Sequence, residues 1–136
     1  MAKGLGEITG KRPLSKRPLF SGSEPGELAD LFRILANDTR LRLLHALERG
    51  GEVSVGELAA ALSMTPQAVS NQLQRLADRR IVAARRERTR IYYRIIDPCV
   101  AGLLELGICL AEETASIGAP ASKARPPAAM RGRSAP

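Results

Sequence analysis

The chain has 136 residues, with 21 Lys and Arg against 14 Asp and Glu, for a net charge of +7. That length suits a single domain, and no run of about eighteen apolar residues is available to span a membrane. The basic N-terminus lacks the apolar stretch of a signal peptide, so a cytoplasmic protein is expected, with its two cysteines held as thiols.

Residues 75–94 hold eight arginines against Asp78 and Glu87, whereas residues 95–116 hold four acids and no base. Residues 25–116 sum to zero, the first 24 residues carry +3 and the last 20 carry +4. A neutral domain with one strongly basic stretch points to a face for a polyanion. The plainer alternative is a solvated arginine-rich surface. The four aromatics are Phe20, Phe32, Tyr92 and Tyr93. A core must therefore come from Leu, Ile, Val and Ala, which suits packed helices.

Residues 1–24 read as a disordered basic tail. "KRPLSKRPLF" repeats KRPL, and its prolines deny a regular helix. Leu28, Leu31, Phe32 and Leu35 recur at helical spacing and predict the first helix. Asn37 is a candidate N-cap for a second helix, with Leu41, Leu43, Leu44 and Leu47 inward and Gly50-Gly51 as its stop. Ser54 and Glu57 have the spacing of a capping box. Val55, Leu58, Ala59 and Leu62 give the short third helix its apolar stripe. Thr65-Pro66 opens a fourth helix, with Thr65 as cap and Pro66 in the first position.

Two helices joined by the short turn "SMT" predict a helix-turn-helix. "RIVAA" and "TRIYYRII" then predict a hairpin around a polar tip, Arg85–Arg88. Asp97-Pro98 caps a last helix, "DPCVAGLLELGICLAEE". Residues 117–136, rich in Pro, Ala and Arg, read as a second disordered basic tail. The expected fold is mainly α with a small β-hairpin: a winged helix-turn-helix domain over residues 25–116, in the order four helices, wing, helix.

On a wheel at 100° per residue, Val69, Leu73 and Leu76 of the fourth helix point inward. Gln67, Asn71, Gln74 and Arg75 point outward, with Ser70 at the edge. Amides and short hydroxyls can donate and accept at base edges. Gln67, Ser70, Asn71 and Gln74 are therefore the candidate base contacts. Thr65, Arg75, Arg85, Arg86, Arg88 and Arg90 are the candidate contacts to the DNA backbone, which position a protein without specifying sequence. A winged helix can instead serve as a protein- or RNA-interaction module. An enzyme is not expected: there is one histidine, His45, no nucleophile–base pattern and no phosphate-cradling glycine loop. His45 is read as an ordinary imidazole rather than a ligand, and Met64 as a core plug.

The segments "LFRILANDTRLRLLHAL", "VGELAAALSMTPQAVSNQLQRLADRRIV" and "RTRIYYRI" together resemble the ArsR/SmtB family of bacterial winged-helix repressors, over roughly residues 27–113. The resemblance implies a homodimer formed through the first and last helices. It also implies operator DNA bound until an effector, most often a metal or metalloid ion, releases it. Three departures stand out. Gln72 replaces a histidine of the family's "SxHL". Arg80 and Arg88 stand where glycines are usual. Ala59 and Ala61 replace the thiols of the family's arsenic-binding "ELCVCDL".

Cys99 and Cys109 remain as sensor candidates. Some family members carry D-x-H, ten residues, H-x-x-[EH] on the last helix. This chain offers Asp97-Pro98-Cys99, nine residues, then Cys109-x-x-Glu112, with Glu113 adjacent. Ten helical residues rise about 15 Å, so the two thiols of one chain cannot share an ion. Antiparallel helices of a dimer can bring Cys99 and Asp97 of one chain to Cys109 and Glu112 or Glu113 of the other. No cofactor is required; the candidate inducer ions are zinc, cadmium, lead, copper(I) and arsenite. Thiol redox or sulfur sensing, or no effector at all, are the alternatives.

Overall fold

The computed structural model describes residues 10–118. The helices are α1 (Glu24–Leu35), α2 (Asp38–Gly50), α3 (Val55–Leu62), α4 (Pro66–Asp78) and α5 (Pro98–Gly118). The strands are β1 (Glu52–Ser54), β2 (Val82–Glu87) and β3 (Arg90–Ile95). This is the expected winged helix-turn-helix order, with one strand more than the sequence announces. Two compact units make up the chain, Met1–Ala101 and Gly102–Pro136.

Most of the two expected tails, residues 1–9 and 119–136, lies outside the described residues. Within residues 10–23 every residue is exposed, and Leu14–Lys16 forms a single 3-10 turn. The sequence expectation of no helical structure there is corrected to that extent. The turn goes no further because Pro13 and Pro18 flank it.

The helix starts follow local chemistry. The Asn37 side chain accepts from the Arg40 N–H at 3.0 Å. The Thr65 hydroxyl oxygen accepts from the Ala68 N–H at 3.1 Å. At α3 the capping box is complete. The Glu57 N–H donates to Ser54 Oγ, and the Ser54 N–H donates to Glu57 Oε1, both at 3.1 Å. Ser54 is also the last residue of β1, so strand and helix meet with no residue between them.

The helix ends are less regular. Gly51 takes φ +81°, and a Cβ on Gly50 would lie 2.5 Å from Val53 Cγ2, so both glycines are needed for the reversal into β1. Ser63 and Arg80 end α3 and α4 with φ +55° and +60°. At Arg80 the N–H donates to the Ala77 carbonyl at 2.9 Å, and the Ile81 N–H donates to the Leu76 carbonyl at 3.0 Å. That is a Schellman ending with arginine in the position glycine favours.

The sheet is antiparallel in the order β1-β3-β2. Val53 sits opposite Tyr93, and Tyr93 opposite Ala84. The core of the first unit packs Leu43, Leu44 and Leu47 of α2 with Leu58 of α3. Val69, Leu73 and Leu76 of α4, then Ile81, Val82 and Tyr93, complete it. Leu41, expected inward, is 39% exposed, because it lies about 120° round the helix from Leu47. In α1 only Leu35 is buried, while Leu28 and Phe32 are exposed.

Candidate nucleic-acid interface

α4 presents two different faces because its apolar residues fall three and four apart. Val69, Leu73 and Leu76 are fully buried, while Gln67, Asn71, Gln74 and Arg75 are exposed and Ser70 is half-buried. On the outer face the amides are paired along the helix. Gln67 Nε2 donates to Asn71 Oδ1 at 2.9 Å, and Gln74 Nε2 donates to Asp78 Oδ1 at 3.1 Å. These bonds restrict the rotamers. They leave the Gln67 carbonyl oxygen and the Asn71 amide hydrogens for an external partner.

An open cleft of about 640 Å³ runs between the starts of α3 and α4 and the wing. It is lined by Glu57, Gln67, Ser70, Thr89 and Arg90 among others. Two candidate base contacts and one candidate backbone contact are thus brought to one concavity. Arg90 also lies close enough to Glu57 to help lower that carboxylate's pKa, after the larger effect of the Ser54 hydrogen bonds.

The wing departs from expectation at its tip. The turn is Arg88-Thr89, and the strands run on through Glu87 and from Arg90. Arg85 and Arg86 are therefore strand residues, since the pairing Arg85–Tyr92 and Arg86–Ile91 extends the hairpin beyond the apolar run. Arg88 takes φ +58°, as the first central residue of a two-residue hairpin turn.

Arg85 is committed within the protein. Its Nε and Nη2 donate to Glu52 at 3.1 and 2.8 Å, and Nη1 donates to Glu87 at 2.8 Å. Its guanidinium lies 4.8 Å from the Tyr92 ring centroid. These bonds raise its pKa and lower that of Glu52. Arg86, Arg88 and Arg90 are exposed, with no ion pair among the described residues. Arg85 thus differs from its neighbours in holding two carboxylates of its own chain, while about half of its side chain stays exposed.

A second arginine, which nothing in the sequence singles out, is also held inside the fold. Arg40 Nε donates to Gln72 Oε1 at 2.8 Å, and Arg40 Nη1 donates to the Ile34 carbonyl at 2.9 Å. Burial first, then the charge of Arg75, lowers the pKa of Arg40.

At the start of α5 the Cys99 N–H donates to Asp97 Oδ1 at 2.8 Å. That bond holds the Asp97 carboxyl below its ordinary pKa. The Cys99 thiol is pushed up, chiefly by its own hydrogen bond to Asp97. Cys99 is exposed. In the second unit, Cys109 and Glu112 are exposed and three residues apart on α5. His45 is exposed on α2, in a shallow cleft with Arg42 and Arg49. No group of three or more His, Cys, Asp and Glu side chains gathers among the described residues of one chain.

Fold and outward face together define a winged helix-turn-helix protein, and comparison with known proteins narrows the class. Residues 37–90 match the profile of the MarR family, also winged-helix proteins. The transcriptional repressor SmtB homolog of Synechocystis sp. is 42% identical over 85 residues, which are 62% of this chain and 64% of that protein. The probable mercury resistance operon repressor of Streptomyces lividans is 36% identical over 110 residues, 74% of this chain and 87% of the relative. The crystal structure of the AntR antimony-specific transcriptional repressor superposes with TM-score 0.67 and 61% identity, covering 76% of this chain and 93% of that one. The solution structure of the homodimeric DNA-binding domain of Mb0332 from Mycobacterium bovis, a possible ArsR-family regulator, gives TM-score 0.61 and 35% identity over 76% of this chain and 97% of that one. The chain belongs to the ArsR/SmtB family of winged-helix DNA-binding transcriptional regulators. The family is one of regulators rather than enzymes. Among the described residues no helix is long and apolar enough to cross a membrane.

Proposed function

We propose that this chain is a homodimeric operator-binding repressor released by a soft metal or metalloid ion, with Cys99 and Cys109 as the sensing thiols. Gln67, Ser70, Asn71 and Gln74 read base edges. Thr65, Arg75, Arg86, Arg88 and Arg90 contact the backbone, and Arg85 holds the wing that carries its neighbours. The exposed apolar residues Leu28 and Phe32 of α1, and Leu106, Ile108 and Leu110 of α5, fit burial against a second copy.

The observation that carries the effector reading is the pair of exposed, unbridged thiols on α5, with a carboxylate bonded beside the first. They occur in a chain that is 61% identical to an antimony-specific repressor over 76% of its length. Thiolates suit soft ions, so antimonite and arsenite lead the candidates, before cadmium, lead, copper(I), mercury and zinc. Cys99 and Asp97 of one subunit, with Cys109 and Glu112 of the other, would hold the ion. Its binding displaces thiol protons and so strengthens with pH. The raised pKa of Cys99 lowers its thiolate fraction, which slows attack on oxidants and sharpens the pH dependence of ion binding. Ion binding and operator binding share one coupling free energy, so DNA weakens ion binding as much as the ion weakens DNA binding.

The test is titration of the purified protein onto the DNA upstream of its own gene, under reductant, with each ion in turn. Release of wild type but not of a Cys99→Ser/Cys109→Ser double variant supports the reading. If the double variant is released as readily as wild type, the thiols are not the sensor. Absence of saturable, sequence-dependent binding without ion would overturn operator recognition itself.

A further inference from the structure

Arg40 sits in the first turn of α2, and its guanidinium spans two other helices. On one side Nη1 donates to the carbonyl of Ile34 at 2.9 Å. That carbonyl lies in the last turn of α1, where carbonyls lack intrahelical partners and the helix dipole favours a cation. On the other side Nε donates to Gln72 of α4 at 2.8 Å. Both contacts are partly buried, and Asn37 holds the Arg40 backbone by accepting its N–H. Gln72 is half-buried and lies off the outward face of α4. Its amide is therefore spent inside the protein, on an arginine that also holds the end of α1.

We propose that Arg40 is a positioning residue for operator recognition: its guanidinium ties the C-terminal end of α1 to Gln72 and so sets the angle of α4, without touching DNA. The proposal goes beyond the regulatory reading above and rests on it. Arg40 reaches the carbonyl and the amide from two separate nitrogens, Nη1 and Nε, held in one plane. Lysine keeps the charge but offers one compact donor group. Base-edge recognition depends on helix orientation, whereas attraction to the backbone depends on charge. Loss of the strut should therefore cost specific binding and leave nonspecific binding intact.

Full-length wild type, Arg40→Lys, Gln72→Met and the double variant would be titrated with operator and with a random-sequence duplex, over a range of salt, well below their melting temperatures. Each single variant should lose roughly tenfold in operator affinity, of the order expected for one charge-assisted hydrogen bond. Affinity for random DNA and the salt slope should stay unchanged. The double variant should lose no more than either single one, because both break the same link. Additive losses, equal losses on both duplexes, or no loss at all would overturn the strut. A wild type that fails to distinguish operator from random DNA would overturn the regulatory reading, and the strut with it.

Discussion

Arg85 holds Glu52 across an intervening strand, with Nε to Oε2 at 3.1 Å and Nη2 to Oε1 at 2.8 Å. The two residues lie on β2 and β1, the outer strands of the sheet, and the guanidinium passes over Tyr92 of the central strand. This bidentate bond braces the wing against the strand that leads into the helix-turn-helix. Two variants separate bracing from phosphate binding. Arg86→Ala should lower DNA affinity and reduce the salt slope by about 1, the share of one phosphate left without its cation. Glu52→Ala should leave that slope unchanged while lowering the melting temperature slightly, an effect that fades in high salt because the pair is exposed.

The capping box makes a prediction with pH. Hydrogen bonds from Ser54 hold the Glu57 carboxyl below its ordinary pKa. A depressed folded pKa means that its stabilisation is complete above the unfolded glutamate value of about 4.3. It is then lost as pH falls through the lower folded value. Thermal melts of wild type and Glu57→Gln should therefore diverge at neutral pH and converge in acid. Ser54→Ala should cost about 1 kcal/mol, read by denaturant unfolding at pH 7.

Arg80 and Arg88 hold left-handed backbone, φ +60° and +58°, where a side chain costs about 1 kcal/mol. Arg80→Gly and Arg88→Gly should each raise the melting temperature. Arg88→Gly, at the wing tip, should also weaken DNA binding and flatten its salt dependence. A variant that melts lower than wild type would contradict the strain assignment.

Asp97 should restrain Cys99. In a Cys109→Ser background, Asp97→Asn removes the negative charge beside the thiol that helps raise the Cys99 pKa. Alkylation by iodoacetamide at neutral pH should then accelerate several-fold, in line with a larger thiolate fraction. An unchanged rate would mean that the carboxylate does not control the thiol.

What is legible in the sequence is what chemistry writes locally. Asn37, Ser54 with Glu57, Thr65 with Pro66, and Asp97 each cap within three residues of themselves, so spacing alone reveals them. The buried trio Val69, Leu73 and Leu76 follows from helical period. β1 is invisible because three residues carry no period, and its pairing with β3 spans about forty positions. Arg85 looks like its neighbours Arg86 and Arg88 in a charge run, and only the fold brings Glu52, 33 residues away, to it. Arg40 and Gln72, 32 residues apart, are hidden for the same reason. The two candidate sensing thiols stand out by residue type alone, and the fold adds the bond from the Cys99 N–H to the Asp97 carboxylate beside the first of them.

Ser54 closes β1 and opens α3 in the same residue. Such a junction has no slack, so the strand edge cannot fray without unwinding the first turn of the helix. In amide hydrogen exchange, the β1 and α3 protons should open together at one free energy, as a single cooperative unit. The wing and the helix-turn-helix are in that sense one mechanical part, which can tilt on its operator but has no hinge at this seam.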